Sequence, residues 1–136
     1  QGQLSPDGGW IAYQSNETGR FEVYIQPYPP RGEGKVLVST VGGSHPRWRL
    51  DGRALFYFSP EGKMTRADVA VEGRTLSAGK PLTVFDPRPL LSGGSNLSQT
   101  VYAVTRDGRF LVNTVVADNV DEPLTVVLNW RPPQAR

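Results

Sequence analysis

Cysteine is absent from this 136-residue chain, and His45 is its only histidine. The lack of cysteine excludes disulfide bonds, thiolate zinc sites and cysteine nucleophiles. A single histidine also excludes any site that needs two imidazoles. We therefore expect no metal site and no cofactor.

Long apolar runs and a strong charge of either sign are also missing. No stretch approaches the roughly 20 apolar residues of a transmembrane helix, and there is no secretory signal, so we expect no membrane insertion. The chain has 15 basic and 13 acidic residues, which are scattered, and so weak a field argues against nucleic acid as a partner. Glycine and proline are plentiful, with 15 and 12 residues, which is typical of many short elements joined by turns.

One pattern occurs three times: an Asp-Gly pair followed by a short apolar run. The aspartates are Asp7, Asp51 and Asp107, separated by 44 and 56 residues, about the size of a four-stranded propeller blade with its loops. Asp-Gly before such a run indicates a hairpin, because glycine adopts positive φ and aspartate bonds its own turn backbone. We expect each aspartate to stabilise its turn; the alternative is a carboxylate cluster around a central channel.

The remaining patterns predict strands and essentially no helix, since no window has a sustained 3.6-residue period. Phe21, Val23 and Ile25 alternate with polar residues, which predicts a strand with one drier face. Ten strands are predicted, with an eleventh near 3–4: 10–13, 21–26, 35–39, 46–49, 54–58, 64–71, 81–85, 100–104, 110–114 and 124–130.

The apolar runs 10–13 and 55–58 do not alternate, so these strands must be covered on both faces. Inner strands of a propeller meet this condition, whereas a β-sandwich, the alternative, would alternate more cleanly. We predict an all-β chain: a partial β-propeller of about three four-stranded antiparallel blades, half of a six-bladed ring. The single segment 1–136 divides into blades at 1–42, 43–92 and 93–131, with a tail at 132–136.

Ser5-Pro6-Asp7-Gly8 before Trp10-Ile11-Ala12-Tyr13 resembles the TolB-type, WD-like repeat of bacterial six-bladed propellers. The stretch LTVVLNW at 124–130 resembles the end of the propellers fused behind bacterial serine/threonine kinases of the eukaryotic type. The third unit departs from the pattern, because it lacks Ser-Pro before its Asp-Gly. The resemblance implies an extracytoplasmic, C-terminal sensor part of a larger receptor-like kinase.

Catalytic motifs are missing from the sequence. The glycine-rich loop, strand lysine and catalytic-loop aspartate of a kinase are absent, and so is the G-x-S-x-G turn of a hydrolase. We therefore predict a non-catalytic binding or interaction module. The alternative is the propeller of a prolyl-oligopeptidase-like hydrolase whose catalytic domain is absent. The start at Gln1 without methionine suggests a processed or truncated chain, and the tail-like end at 131–136 favours the kinase interpretation.

Binding candidates are His45, Arg47 and Arg49, which lie near the expected channel mouth. The arginines could bind an anion there, together with Arg53; a solvated strand edge and a loop hydrogen bond for His45 are the structural alternatives. Trp10, Trp48 and Trp130 are expected in the core.

Three blades do not close a ring, so we expect a homodimer that completes six blades. The outer faces of the first and last blades are expected to carry Trp10, Tyr13, Val112 and Val126. Leaving such faces uncovered would expose larger apolar patches than soluble monomers usually show. The ligand or protein partner is not named by the sequence.

Overall fold

The computed structural model describes residues 1–32, 34–87 and 101–113, and all regular structure in these ranges is β-strand. The predicted strand at 124–130, with Trp130 and Val126, lies outside the described residues. Eleven strands lie inside them: β1 (Gly2–Leu4), β2 (Trp10–Ser15), β3 (Glu22–Pro27), β4 (Val36–Leu37), β5 (Ser44–Trp48), β6 (Ala54–Phe58), β7 (Met64–Glu72), β8 (Thr75–Ala78), β9 (Leu82–Phe85), β10 (Tyr102–Val104) and β11 (Phe110–Val112).

The strands form three antiparallel sheets in which chain order follows spatial order. The first sheet has the order β1-β2-β3-β4 and the third pairs β10 with β11. In the second sheet, β5-β6-β7 continues to two further strands, because β9 pairs with the first half of β7 and β8 with its second half. The chain therefore builds one meander after another, as an all-β architecture of consecutive units.

The three Asp-Gly turns have the same backbone geometry. In each, the glycine has positive φ, at 73°, 71° and 79° in chain order, which glycine adopts without steric penalty. Its N–H donates to the carbonyl three residues earlier, in the pairs Gly8 to Ser5 at 2.9 Å, Gly52 to Arg49 at 2.9 Å and Gly108 to Thr105 at 3.1 Å. The internal repeat is therefore a repeat of structure as well as of sequence.

The core is divided between the two faces of β6, whose five residues are all buried. Leu55 and Tyr57 belong to a first core between the second sheet and the first sheet. This core also contains Trp10 and Trp48. Phe56 and Phe58 belong to a second core shared with the third sheet. The expectation that an unalternating strand is covered on both faces is confirmed for β6.

The second sheet has one strand more than the predicted four. Strand β7 continues to Glu72, turns at Gly73, which has φ 61°, and returns as β8. Only Leu76 of β8 is buried, so the strand carries too little apolar pattern to be predicted from sequence.

The outer strand of the first sheet is shorter than the predicted 35–39. The Val38 N–H still donates to the Val23 carbonyl at 2.9 Å, but the Val23 N–H donates to the Ser39 hydroxyl instead of a backbone carbonyl. The side chain of Ser39 thus replaces the next backbone bond and ends the ladder after Leu37.

The prediction of one drier face on β3 is wrong. Phe21 lies before the strand and is 38% exposed, whereas Glu22 and Tyr24, expected on the wetter face, are buried. Glu22 tolerates burial because its carboxylate accepts hydrogen bonds from Arg20 and Ser39. A buried polar residue that has its own hydrogen-bond partners breaks the alternation of polar and apolar residues from which the buried face of a strand is predicted.

Trp10 and Val112 do not lie on outer faces, contrary to expectation. Trp10 is 7% exposed in the first core, and Val112 packs against the second core. The error has a simple cause: side chains alternate along a strand, and these two residues point to the neighbouring sheet. Tyr13 does lie on the face of the first sheet that points away from the second sheet, where it stacks on Tyr24 with centroids 5.8 Å apart.

Gly43, between β4 and β5, gives a test of how closely the first two sheets approach. A Cβ atom there would lie 2.8 Å from the Tyr57 ring and 3.0 Å from Val23. We expect Gly43→Ala to destabilise the fold by about 1–3 kcal/mol, as overpacking of a core does. Gly79→Ala is the matched control, because its Cβ would meet nothing closer than 3.5 Å. Urea unfolding midpoints that are equal for the two variants would contradict this packing.

Candidate functional site

His45 lies where the three sheets meet. It has φ 55° and occupies a register irregularity in the pairing of β5 with β6, between Ser44 and Arg47. Its N–H donates to Gln14 Oε1 of the first sheet at 2.7 Å. Its carbonyl accepts a hydrogen bond from the Tyr102 hydroxyl of the third sheet at 2.8 Å. The backbone of this one residue therefore joins all three sheets.

The imidazole of His45 is buried, with 2% of the residue exposed. Nδ1 lies 3.0 Å from the Ser44 hydroxyl, and the ring meets Phe58 edge-on. Nε2 is buried and has no hydrogen-bond partner among the described residues. Burial lowers the pKa of His45, and the charges of Arg47 and the N-terminal amine lower it further. The neutral imidazole is therefore the form that this site favours.

The two predicted arginines have separate roles. Arg47 is half-buried, donates from Nη1 to the Pro46 carbonyl at 3.0 Å, and lies with its guanidinium 5.9 Å from the centroid of the Tyr102 ring. Arg49 is exposed and pairs with Asp51 at 3.4 Å. The structure thus brings His45 and Arg47 together but holds Arg49 in its turn, and an anion-binding role for the set stays a prediction.

The turn aspartates bond within their own turns. Asp7 accepts from the Ser5 hydroxyl at 2.5 Å and the Gly9 N–H at 3.0 Å, and these bonds lower the pKa of its carboxyl. Asp107 accepts from the Thr105 hydroxyl in the same way, which lowers the pKa of Asp107. Asp51 accepts from the Arg53 N–H at 3.0 Å. These contacts agree with the structural role predicted for all three.

Tyr102 is a junction residue that sequence reasoning missed. Its hydroxyl proton is shared between the carbonyls of His45, at 2.8 Å, and Phe56, at 2.9 Å. The residue is 2% exposed, and burial raises the pKa of Tyr102 well above its ordinary value. The sequence predicts a strand at 100–104, but no sequence signal indicated the burial of Tyr102 or its partners.

A cleft on the second sheet, beside the loop 40–42 that leads to it from the first sheet, is the second feature that the sequence did not reveal. It has a volume of about 270 Å³, near the lower end of the ligand pocket range of about 300–1,000 Å³. Its floor is a row of three side chains on neighbouring strands: Tyr57 opposite Thr65, and Thr65 opposite Thr83. Its walls are the loop 40–42 before β5 and the β6–β7 turn at 59–63. We call it the Tyr57 cleft.

Other kinds of site are not found in the part of the chain that the structure describes. The described residues contain no group of three His, Asp or Glu side chains arranged to hold a metal ion. None of their elements is a helix long and apolar enough to cross a membrane. A scan of the chain against models of known protein families finds no match, and a search of curated protein sequences finds none. The family resemblance therefore stays a prediction.

Because His45 is the only histidine, its titration is measurable in isolation. The folded pKa lies below the ordinary value of 6.5, so the unfolded chain binds more protons as the pH falls through that value. We expect stability to be constant above about pH 7.5 and to decrease as the pH falls through 6.5. His45→Asn replaces the imidazole with a side chain that does not titrate, and asparagine tolerates the positive φ at this position. The decrease in stability at low pH should therefore disappear in this variant. Equal pH slopes of the urea midpoint in the two proteins would show that His45 does not titrate on unfolding.

Asp51→Ala tests the turn role of the aspartates. We expect a loss of about 1 kcal/mol, because the Arg53 N–H loses its acceptor. Asp68→Ala is the control: among the described residues its carboxylate pairs only with Arg66, two residues away, and pairs that are as open to solvent as this one contribute little. Chemical denaturation of both variants decides the matter, and an Asp51→Ala midpoint as high as that of Asp68→Ala would refute the turn role.

Proposed function

We propose that this chain is a non-catalytic binding module that forms about three blades of a six-bladed β-propeller of the TolB type. The observation that carries the proposal is β6, a strand buried on both faces between a sheet that precedes it and a sheet that follows it. Propeller blades are packed in this way, each between two neighbours. The proposed parent protein is a bacterial receptor-like kinase, an association supported by the sequence at 124–130.

The connection between sheets also supports the proposal. Strand β4, at one edge of the first sheet, leads directly to β5, at the edge of the second sheet that contacts β1 and β2. Each new sheet thus starts beside the first strands of the previous one, as in a propeller whose innermost strands line the centre. The first strands are tied together: the Trp48 N–H donates to Gln3 Oε1 at 2.8 Å.

The two end faces support assembly into a homodimer. On the first sheet, the face that points away from the second sheet exposes Leu4 and Leu37, at 46% and 52%. On the third sheet, Leu111 points away from the second core and is 46% exposed. Two copies related by a two-fold axis would cover both kinds of face and bring the blade number to six.

The homodimer is tested by sedimentation velocity at micromolar concentration. We expect the mass of two chains for the unaltered protein and of one chain for Leu4→Glu, because a charge would be buried without a partner. Val71→Glu is the matched control: Val71 is equally exposed, at 46%, but lies on the β7–β8 hairpin.

A monomeric unaltered chain would overturn the dimer. So would a Val71→Glu variant that dissociates as readily as Leu4→Glu, since the effect would then not belong to the end face.

A further inference from the structure

The floor of the Tyr57 cleft presents hydroxyl groups in a line. Directly opposed residues in an antiparallel sheet point to the same face, with Cβ atoms about 4.5–5.5 Å apart. Tyr57, Thr65 and Thr83 are opposed in this way across β6, β7 and β9. Their hydroxyl-bearing side chains therefore follow one another in two steps of about 5 Å each.

Tyr57 lines the cleft, and its hydroxyl has no hydrogen-bond partner among the described residues. The residue is 2% exposed and belongs to the first core, yet it lines the cleft. No hydrogen bond joins its hydroxyl to any described residue. A hydroxyl on a buried side chain loses free energy unless it finds a partner, and a ligand in the cleft can supply that partner.

The two threonines keep hydrogen-bonding capacity as well. Thr65 donates weakly to the Lys63 carbonyl at 3.4 Å, which leaves its oxygen able to accept. Thr83 is exposed at the outer end of the row. The floor therefore offers donors and acceptors together, which suits groups that both donate and accept.

The residues that line the cleft carry no net charge to select an ion. Its one ammonium and its one carboxylate, Lys63 and Glu61, pair with each other at 2.7 Å on the wall. The rest of the rim combines the hydroxyl residues Thr40 and Ser59 with apolar side chains: Pro60, Pro81 and Val41, the last 64% exposed. A charged ligand would have to compete with the ion pair, whereas a neutral polar ligand would not.

We propose that the Tyr57 cleft binds a small, uncharged, hydroxyl-rich ligand, a single sugar unit, through the hydroxyls of Tyr57, Thr65 and Thr83. A sugar supplies hydroxyls that donate and accept along one edge, and C–H groups that suit the apolar side chains of the rim. The volume of about 270 Å³ fits one such unit. This inference deepens the proposed binding role and rests on it only in that the chain binds a ligand at all, because the cleft is formed by the second sheet and the loop 40–42 that precedes it.

Ligand-observed NMR by saturation transfer tests the proposal, with D-glucose, D-galactose and N-acetylglucosamine as probes at millimolar concentration. We expect binding of at least one probe. Tyr57→Phe and Thr83→Val should each weaken it about fivefold, the effect of one lost hydrogen bond. Thr75→Val is the matched control, because Thr75 is an exposed threonine on β8 outside the cleft. The Thr75→Val variant should bind the sugar with the affinity of the unaltered chain.

Three results would overturn the proposal. They are no binding of any probe, equal affinity in Tyr57→Phe and Thr83→Val, or loss in Thr75→Val as well. Tighter binding of a charged probe, acetate or methylammonium, than of every sugar would overturn the ligand class. Urea midpoints of each variant separate lost binding from lost folding. Failure here would leave the sedimentation result intact, and a monomeric chain that binds sugar would leave the cleft intact.

Discussion

Strand β6 has no polar face, and this constraint governs the rest of the structure. Five consecutive buried residues cannot border water on either side, so one sheet must lie against Leu55 and Tyr57 and another against Phe56 and Phe58. Burying side chains of this size stabilises by about 1.5–3 kcal/mol each. A single sheet with one face exposed to solvent would lose about half of this stabilisation. The stacking of consecutive meanders follows.

Close stacking demands that polar groups at the junctions find partners across sheets. The Trp48 N–H and indole N–H both bond Gln3, at 2.8 and 3.1 Å, and the His45 N–H bonds Gln14. Tyr102 closes the junction on the other side by bonding the His45 carbonyl. Each bond joins the first strand of one unit to a neighbouring unit. A shift of one sheet by a single residue would leave several buried groups unpaired, so these bonds fix how the sheets align.

Local signals in the sequence carried most of the fold. The Asp-Gly turns require glycine at positive φ, which the sequence states directly, and β6 matches the predicted 54–58 because its apolar run ends at turn residues on both sides. What could not be predicted depends on partners distant in the chain. From the sequence, Glu22 is expected to be exposed to solvent, because its hydrogen-bond donor Ser39 lies 17 residues away in the chain. The candidate His45 could be picked out as the only imidazole, but its burial and its bonds to Gln14 and Tyr102 required the assembled sheets. The Tyr57 cleft could not be predicted from the sequence at all, because its floor depends on the register of three strands, β6, β7 and β9.

Tyr57 is where core packing and the cleft meet. Its ring is held in the first core, with Gly43 leaving the space that it occupies. The same burial, with the nearby charge of Glu22, raises the pKa of Tyr57 to about 12, so its hydroxyl stays protonated and able to donate. The ring is fixed before any ligand arrives, so binding need not bear the entropy of ordering it. The packing that β6 requires thus also orients the hydroxyl. The walls of the cleft, by contrast, are loop and turn residues, which can change without disturbing the stacked sheets. In such an arrangement the strands fix the hydroxyls that would bind a ligand, and the loops fix the shape of the space around it.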